Sequence, residues 1–254
     1  MSAAPKLRAG FPEIEFGRDA LFLDIDGTII DIAPTPESVI VPESLKLSLS
    51  RVCERLGGAL ALVSGRTLSA VDELFAPLKF SAAGAHGAEL RLEPNGAVKH
   101  RAVPLTAAEK AAFADLLKLH PQIRIEDKVY TLAVHYRAAP ELEDKIIAEV
   151  KERARKLREG LRVLCGKYVI EVKTRGFNKG TGIQQIMGHP PFAGRRPIFL
   201  GDDITDEDGF AVLPKLSGIG VSVGRLLPGA AAYVPSPETV RRWLAQLAGV
   251  HEMA

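Results

Sequence analysis

Three short apolar runs in this chain, Ala20 to Leu23, Ala59 to Val63 and Ile198 to Leu200, each end at a polar cluster. The clusters are Asp24-Ile25-Asp26-Gly27-Thr28, Ser64-Gly65-Arg66 and Gly201-Asp202-Asp203. Short, wholly apolar runs suit strands buried on both faces, which belong to parallel sheets covered by helices. Between the first two runs, Glu43 to Leu56 has helical spacing and closes at Gly57-Gly58, giving the strand, helix, strand of a βαβ unit. In an open parallel sheet, the residues that follow the strands collect at the carboxyl edge, where such folds bind ligands. The predicted fold class is therefore α/β, a doubly wound parallel sheet whose three polar clusters share one edge.

The same grammar continues with a helix over Leu68 to Phe75 and a buried strand over Phe80 to Ala83. A hairpin follows, Ala88 to Leu92 and Val98 to Val103 around the turn Glu93-Pro94-Asn95-Gly96. From Pro104 the pattern changes. Thr106 and Glu109 form a capping box that opens a helix to about Leu119, and Ile123 to Asp127 and Tyr130 to Tyr136 read as strands. A long helix from Pro140 to Glu159 closes at Gly160, and two more strands follow at Leu161 to Leu164 and Tyr168 to Val172. Residues 104–173 are thus expected to form an inserted α+β module, and residues 1–103 and 174–254 the core. Beyond Asn178 the α/β pattern resumes with a helix over Lys179 to Met187, a strand over Pro197 to Leu200 and a helix near Phe210. A strand over Gly218 to Val223 and a last helix over Pro237 to Leu247, with Trp243 in the core, complete it.

Composition excludes several function classes. Lys and Arg number 33 against 31 Asp and Glu, a formal net charge of +2, which argues for a mixed surface and against a nucleic-acid binder. The charged stretch from Lys151 to Arg158 alternates in sign, as the solvated face of a helix does. Cys53 and Cys165 lie outside any CxxC pair and read as free structural thiols of a reducing compartment. No long apolar stretch occurs, and Met1 to Phe16 interleaves charges with apolar residues, so neither a membrane span nor a signal peptide is expected and the setting is read as cytoplasmic.

The polar clusters carry specific chemistry. Asp24 and Asp26, two residues apart with Gly27 next, bring two carboxylates to one turn while the glycine lets backbone amides approach an anion. Gathered carboxylates hold a hard cation and leave one free to attack a substrate. A calcium loop of the EF-hand kind needs oxygen ligands at alternating positions, and Ile204 and Ile29-Ile30 break that pattern. Ser64 with Gly65, taken alone, reads as a cap for the helix at Leu68; beside the aspartates it reads as a donor to phosphate oxygens. Lys179, preceded by Asn178 and followed by Gly180 at a helix start, offers a point charge and free amides to an anion.

In this order, Asp-Ile-Asp-Gly-Thr, Ser-Gly-Arg, a later Lys and Gly-Asp-Asp-x-x-Asp resemble the four motifs of the haloacid dehalogenase superfamily, specifically its phosphatases. The resemblance implies Asp24 as the nucleophile that becomes an aspartyl phosphate, and Asp26 as the general acid that then activates water. It implies Mg²⁺ held by Asp24, Asp202 and the Asp26 backbone carbonyl, with Asp203 and Asp206 as ligands through water or as supports. Ser64 and Lys179 are implied to bind the transferring phosphoryl oxygens, with Gly65, Arg66 and Asn178 lining the substrate site.

The insert between the second and third motifs is similar to the cap of the sugar-phosphatase branch, and the match is closest to trehalose-6-phosphate phosphatases. It rests on Asp31-Ile32-Ala33-Pro34-Thr35-Pro36, Gly84-Ala85-His86-Gly87-Ala88-Glu89, Glu126-Asp127-Lys128, His135-Tyr136-Arg137, Gly166-Lys167 with Glu171, and Phe177-Asn178-Lys179-Gly180. In that family the residues matching Glu126, Lys128, Arg137, Lys167 and Glu171 contact the disaccharide. Glu126 with Lys128, and Lys167 with Glu171, equally suit solvent-facing cross-strand pairs, and His86 suits hydrogen-bonded support as well as substrate contact. Thr174 stands where the family more often has proline. Many relatives carry a fused synthase domain, so a separate trehalose-6-phosphate synthase is the implied functional partner. Hydrolysis of another phosphosugar such as sucrose 6-phosphate, phosphotransfer to a second sugar, and a non-catalytic sensor on the same fold are the alternatives.

Overall fold

A computed structural model of the chain describes residues 8–32, 39–157, 159–166 and 168–250. Within the sequence expectations, Ala33 to Pro36, Arg158 and Lys167 lie outside the described residues. The chain divides into two compact units, residues 1–99 with 178–254 and residues 100–177.

The larger unit is built on a sheet in the order β1 (Arg8–Ala9), β13 (Ala232–Val234), β12 (Ile219–Val223), β11 (Arg196–Gly201), β2 (Asp19–Leu23), β3 (Leu60–Val63), β4 (Ser81–Gly84), β5 (Glu89–Arg91) and β6 (Lys99–His100). Pairing is parallel from β1 through β4, and β5 returns antiparallel on β4. Every residue of β2 and β3 is buried, as expected of strands covered on both faces. Helices α1 (Glu43–Arg55), α2 (Leu68–Phe75), α5 (Lys179–Met187), α6 (Glu207–Val212) and α7 (Pro237–Ala248) provide the cover. Their apolar stripes meet the strands in one core that includes Phe22, Phe75, Phe199 and Phe210. Trp243 belongs to it, stacked on Phe11 with ring centroids 4.3 Å apart.

The register fixes where the polar clusters arrive. Leu23 pairs with Leu62 on one side and Leu200 on the other, so Asp24, Ser64 and Asp202 all leave the sheet at the same edge. The Asp24 amide still donates to the Leu200 carbonyl at 3.0 Å, which fixes the first residue past β2 against β11.

The smaller unit is an antiparallel sheet, β7 (Arg124–Asp127), β8 (Thr131–His135), β10 (Val169–Thr174) and β9 (Leu161–Gly166) in that order, with α3 (Ala107–Leu119) and α4 (Glu143–Leu157). Thr106 and Glu109 make the capping box that opens α3. Leu132, Val134, Ile170 and Val172 face Phe113, Leu116, Ile146 and Val150 in a core of the unit's own. Alternation along each strand turns Glu126, Ala133 and Glu171, which share one register line, to the opposite face. On α4, Arg155 and Lys156 pair with Glu152, and Arg153 with Glu149, so the charges up to Leu157 decorate a solvated helix face.

Three local features differ from the sequence expectation. The hairpin strands are shorter, Glu89–Arg91 and Lys99–His100, and a tight turn over residues 85–87 precedes the first. The α4 segment opens with a 3₁₀ turn, Pro140–Leu142, before the α-helix. The strands β1 and β13 had no expectation at all. The residues 100–103 and 174–177 fall with the smaller unit, where the Thr174 hydroxyl donates to the Val103 carbonyl at 3.4 Å and the Arg101 guanidinium lies over the Phe177 ring.

Cys53 and Cys165 are free thiols. Among the described residues no helix is long and apolar enough to cross a membrane.

The smaller unit's core is tested at Phe113, which is 1% exposed. Phe113→Ala is expected to cost about 3–5 kcal/mol, the range for emptying a buried aromatic site, read as a lowered urea midpoint at unchanged slope. A midpoint equal to that of the parent protein contradicts the packing described.

Candidate active site

At the carboxyl edge of the large sheet, Asp24 is 4% exposed and its two oxygens have different partners. Lys179 Nζ donates to Oδ1 at 2.7 Å, and the Thr28 hydroxyl lies 3.0 Å from Oδ2. The same hydroxyl is 3.1 Å from Asp202 Oδ1, so Thr28 ties the end of β2 to the end of β11. Lys179 is itself buried and gives a second 2.7 Å hydrogen bond to Asp206 Oδ1. Asp206 is wholly buried, and its other oxygen accepts the backbone N–H groups of Asp202 and Asp203, each at 3.0 Å. Asp206 therefore shapes the Asp202 loop and holds Lys179 at once.

Lys179 is placed by its helix. Asn178 caps α5, its side-chain oxygen accepting the Thr181 N–H at 2.8 Å, which puts Lys179 at the first helical position. That cap is the use the structure makes of the Asn178 side chain. Gly27 is placed by necessity: its φ is +82°, and a Cβ there would lie 2.1 Å from Asp202 Oδ2. No other residue both adopts that conformation and leaves room for the second carboxylate.

Asp24, Asp202 and Asp206 offer oxygens that lie within 4.8 Å of one another. Three carboxylates against one ammonium is a crowded negative site, which shifts the proton affinity of its members. Burial, then the charges of Asp24 and Asp206, push Asp202 up to about 8. Burial pushes Asp206 up to about 7 against the opposing pull of Lys179. Burial alone would lower Lys179, but Asp206 and Asp24 outweigh it and hold the ammonium well above its ordinary value. An all-oxygen donor set with surplus negative charge fits a hard divalent cation.

Two of the expected acidic residues stand apart from this cluster. The Asp26 carboxylate is turned to Arg66, whose Nε and Nη2 donate to its two oxygens at 2.7 Å each. Asp203 is half exposed, accepts the Ile204 N–H at 2.6 Å and pairs with Arg225 at 2.9 Å. Ser64 is 2% exposed, and its Oγ accepts the Arg66 N–H at 3.1 Å. His86 is buried with its ring against Gly65, where an added Cβ would lie 2.8 Å from the imidazole.

The smaller unit carries its own polar cluster. Lys128 Nζ lies 3.3 Å from Glu171 Oε1 and 3.9 Å from Glu126 Oε2, and His135 Nε2 is 2.9 Å from the same Glu126 oxygen. Glu126, Lys128 and Glu171 are thus brought together on the sheet face away from the helices. Arg137 is exposed beyond β8 with its guanidinium 6.0 Å from the Tyr168 ring centroid.

Sequence reasoning left three contributors without roles: Thr28, His135 and Arg225. Thr28 had a signal, four residues after Asp24 in a tight turn. Arg225 had none, because it reaches the Asp202 loop from the end of β12, donating to the Asp202 carbonyl at 3.0 Å.

The charge crowding predicts a pH dependence. Asp202 titrates higher folded than unfolded, so between about pH 4 and pH 8 the folded chain binds more protons and stability falls as pH rises. In chelator-treated protein, Asp202→Asn is expected to flatten that part of the melting-temperature profile. Divalent cation should raise the melting temperature more at pH 8 than at pH 5. Identical profiles for parent and variant contradict the assignment.

Comparison with known proteins agrees with this geometry. Residues 22–230 match the family model described as trehalose-phosphatase. A probable trehalose-phosphate phosphatase of Sinorhizobium fredii (strain NBRC 101917 / NGR234) is 41% identical over 233 residues, covering 90% of this chain and 87% of that protein. The trehalose-6-phosphate phosphatase of Escherichia coli (strain K12) is 37% identical over 235 residues, covering 92% and 87%. A solved haloacid dehalogenase-like hydrolase from B. subtilis superposes with a TM-score of 0.64 at 14% identity, covering 89% of this chain and 99% of that one, a likeness of fold. The core is haloacid dehalogenase-like, the chain is a phosphoric monoester hydrolase, and it belongs to the trehalose-phosphatase family.

Proposed function

We propose that this chain hydrolyses trehalose 6-phosphate to trehalose and phosphate through an aspartyl phosphate on Asp24. The observation that carries this reading is the Asp24 carboxylate, buried and fixed between Lys179 at 2.7 Å and Thr28 at 3.0 Å. A carboxylate held this rigidly beside a cation is preorganised to attack a phosphoryl group.

In the first half-reaction Asp24 forms a bond to phosphorus as the bond to the sugar oxygen breaks. Asp26 gives its proton to that oxygen, and trehalose leaves. In the second, Asp26 takes a proton from water, whose oxygen attacks the same phosphorus and frees Asp24 and inorganic phosphate. Ser64 and Lys179 bind the phosphoryl oxygens, whose charge persists through both transfers. Asp24, Asp202 and the Asp26 carbonyl would hold Mg²⁺, with Asp206 and Asp203 supporting the loop. When bound, the ion supplies further positive charge to the phosphoryl oxygens.

Glu126, Lys128 and Glu171 are proposed to take the sugar hydroxyls, with Arg137 and Lys167. Carboxylates and ammonium groups side by side offer the acceptors and donors that a disaccharide needs. His86, Gly65 and Asn178 are proposed to support the phosphate end. We propose further that the protein works in the cytoplasm, where a separate synthase supplies its substrate.

The test is phosphate release from trehalose 6-phosphate, glucose 6-phosphate and sucrose 6-phosphate, with and without Mg²⁺. Trehalose 6-phosphate is expected to lead, and chelation to abolish the signal. Asp24→Asn should lower kcat by about 10⁴-fold or more, as removal of a nucleophile does. Glu126→Ala should reduce kcat/KM for trehalose 6-phosphate more than for glucose 6-phosphate. An active Asp24→Asn variant contradicts the mechanism, and equal rates on all three sugars contradict the substrate.

A further inference from the structure

The Arg66 guanidinium meets Asp26 as a two-pronged fork, Nε to Oδ2 and Nη2 to Oδ1, both at 2.7 Å. Asp26 needs such a partner. Its side chain is 36% exposed, unlike the buried Asp24, and sits on a turn between Ile25 and Gly27, where among the described residues Arg66 is the group that fixes its carboxylate. A fork fixes both the position and the plane of a carboxylate, which a point charge does not.

The mount of the fork is rigid. The Arg66 N–H donates to Ser64 Oγ at 3.1 Å, and the Arg66 carbonyl accepts the Ala85 N–H at 2.6 Å. The His86 N–H donates to the Ser64 carbonyl at 3.0 Å. These last two bonds require two consecutive non-glycine residues in the left-handed region, Ala85 at φ 47° and His86 at φ 55°. Such conformations are costly and persist where surrounding structure enforces them, often at functional sites. Here they clamp the segment that carries Arg66.

We infer that Arg66 is a positioning residue for Asp26: its fork holds the carboxylate at the angle from which it meets the leaving oxygen, rather than serving as a contact to the phosphoryl group. The inference rests on the general-acid role proposed above for Asp26. It concerns orientation, and it separates Arg66 from Ser64 and Lys179 in function although all three stand at one sheet edge.

Leaving groups distinguish the two roles. Measured as kcat/KM, which reports steps only through the first phosphoryl transfer, a sugar phosphate needs its leaving oxygen protonated and 4-nitrophenyl phosphate does not. Asp26→Asn is the control and should lose activity on trehalose 6-phosphate far more than on 4-nitrophenyl phosphate. Arg66→Ala is expected to follow the same pattern, with a loss of about 100-fold on the sugar phosphate, the scale of a misplaced catalytic group, and about 3-fold or less on the aryl phosphate. Arg66→Lys, which keeps the charge and lacks the fork, should fall between, and melting temperatures identify any variant that fails to fold.

If Asp26→Asn shows no leaving-group dependence, the acid role itself is wrong. If Asp26→Asn shows it and Arg66→Ala loses both substrates equally, Arg66 acts on the phosphoryl group and the inference is overturned. Full activity of Arg66→Ala on both substrates overturns it as well.

Discussion

A buried ammonium between two buried carboxylates organises the carboxyl edge of the large unit's sheet. Lys179 reaches Asp24 and Asp206 at 2.7 Å each, and none of the three is more than 4% exposed. Removing one member of such a group leaves an uncompensated buried charge, which costs far more than the net gain from the intact pair. The arrangement therefore behaves as a unit. It also joins three segments distant in sequence: the end of β2, the start of α5 and the loop after β11. The surplus negative charge left by Asp202 suits the same edge to a hard cation.

Parallel register makes that convergence possible. Because Leu23 is flanked by Leu62 and Leu200, the residues just past each strand are delivered side by side with no long loop to position them. Short turns then refine the result. The 3₁₀ turn Ile204–Asp206 sends Asp206 inward and leaves Asp203 as its outward cap, so two aspartates three residues apart have opposite surroundings. The smaller unit solves a different problem with the same rule of alternation. One face of its sheet packs on helices, and the other is free to carry Glu126, Lys128, His135 and Glu171.

Much of this was legible in the sequence, for reasons that identify what was not. Helix α2 and helix α5 were found at their observed bounds, because caps and periodicity are local signals. Asp24, Asp202 and Lys179 lie together in the structure, and their placement was legible because each follows a strand or opens a helix. The strands β1 and β13 were missed because two or three residues cannot display a period. The difference between Asp203 and Asp206 was not legible, since orientation in Gly-Asp-Asp-x-x-Asp depends on backbone dihedrals. Pairings such as Arg66 with Asp26, or Arg225 with the Asp202 carbonyl, join residues 40 and 23 positions apart. No local pattern encodes them; they exist only once the sheet has formed.

Everything proposed for this site turns on Asp24 carrying the phosphoryl group. Rapid acid quench of Asp26→Asn protein turning over 4-nitrophenyl phosphate, whose leaving group needs no acid, followed by peptide mass mapping, tests this. An intermediate is expected to accumulate because its water is not activated, with the added phosphoryl mass on the peptide containing Asp24 and lost on treatment with hydroxylamine. Turnover of the substrate with no phosphorylated Asp24 peptide at any time, or with the mass on another residue, would contradict it.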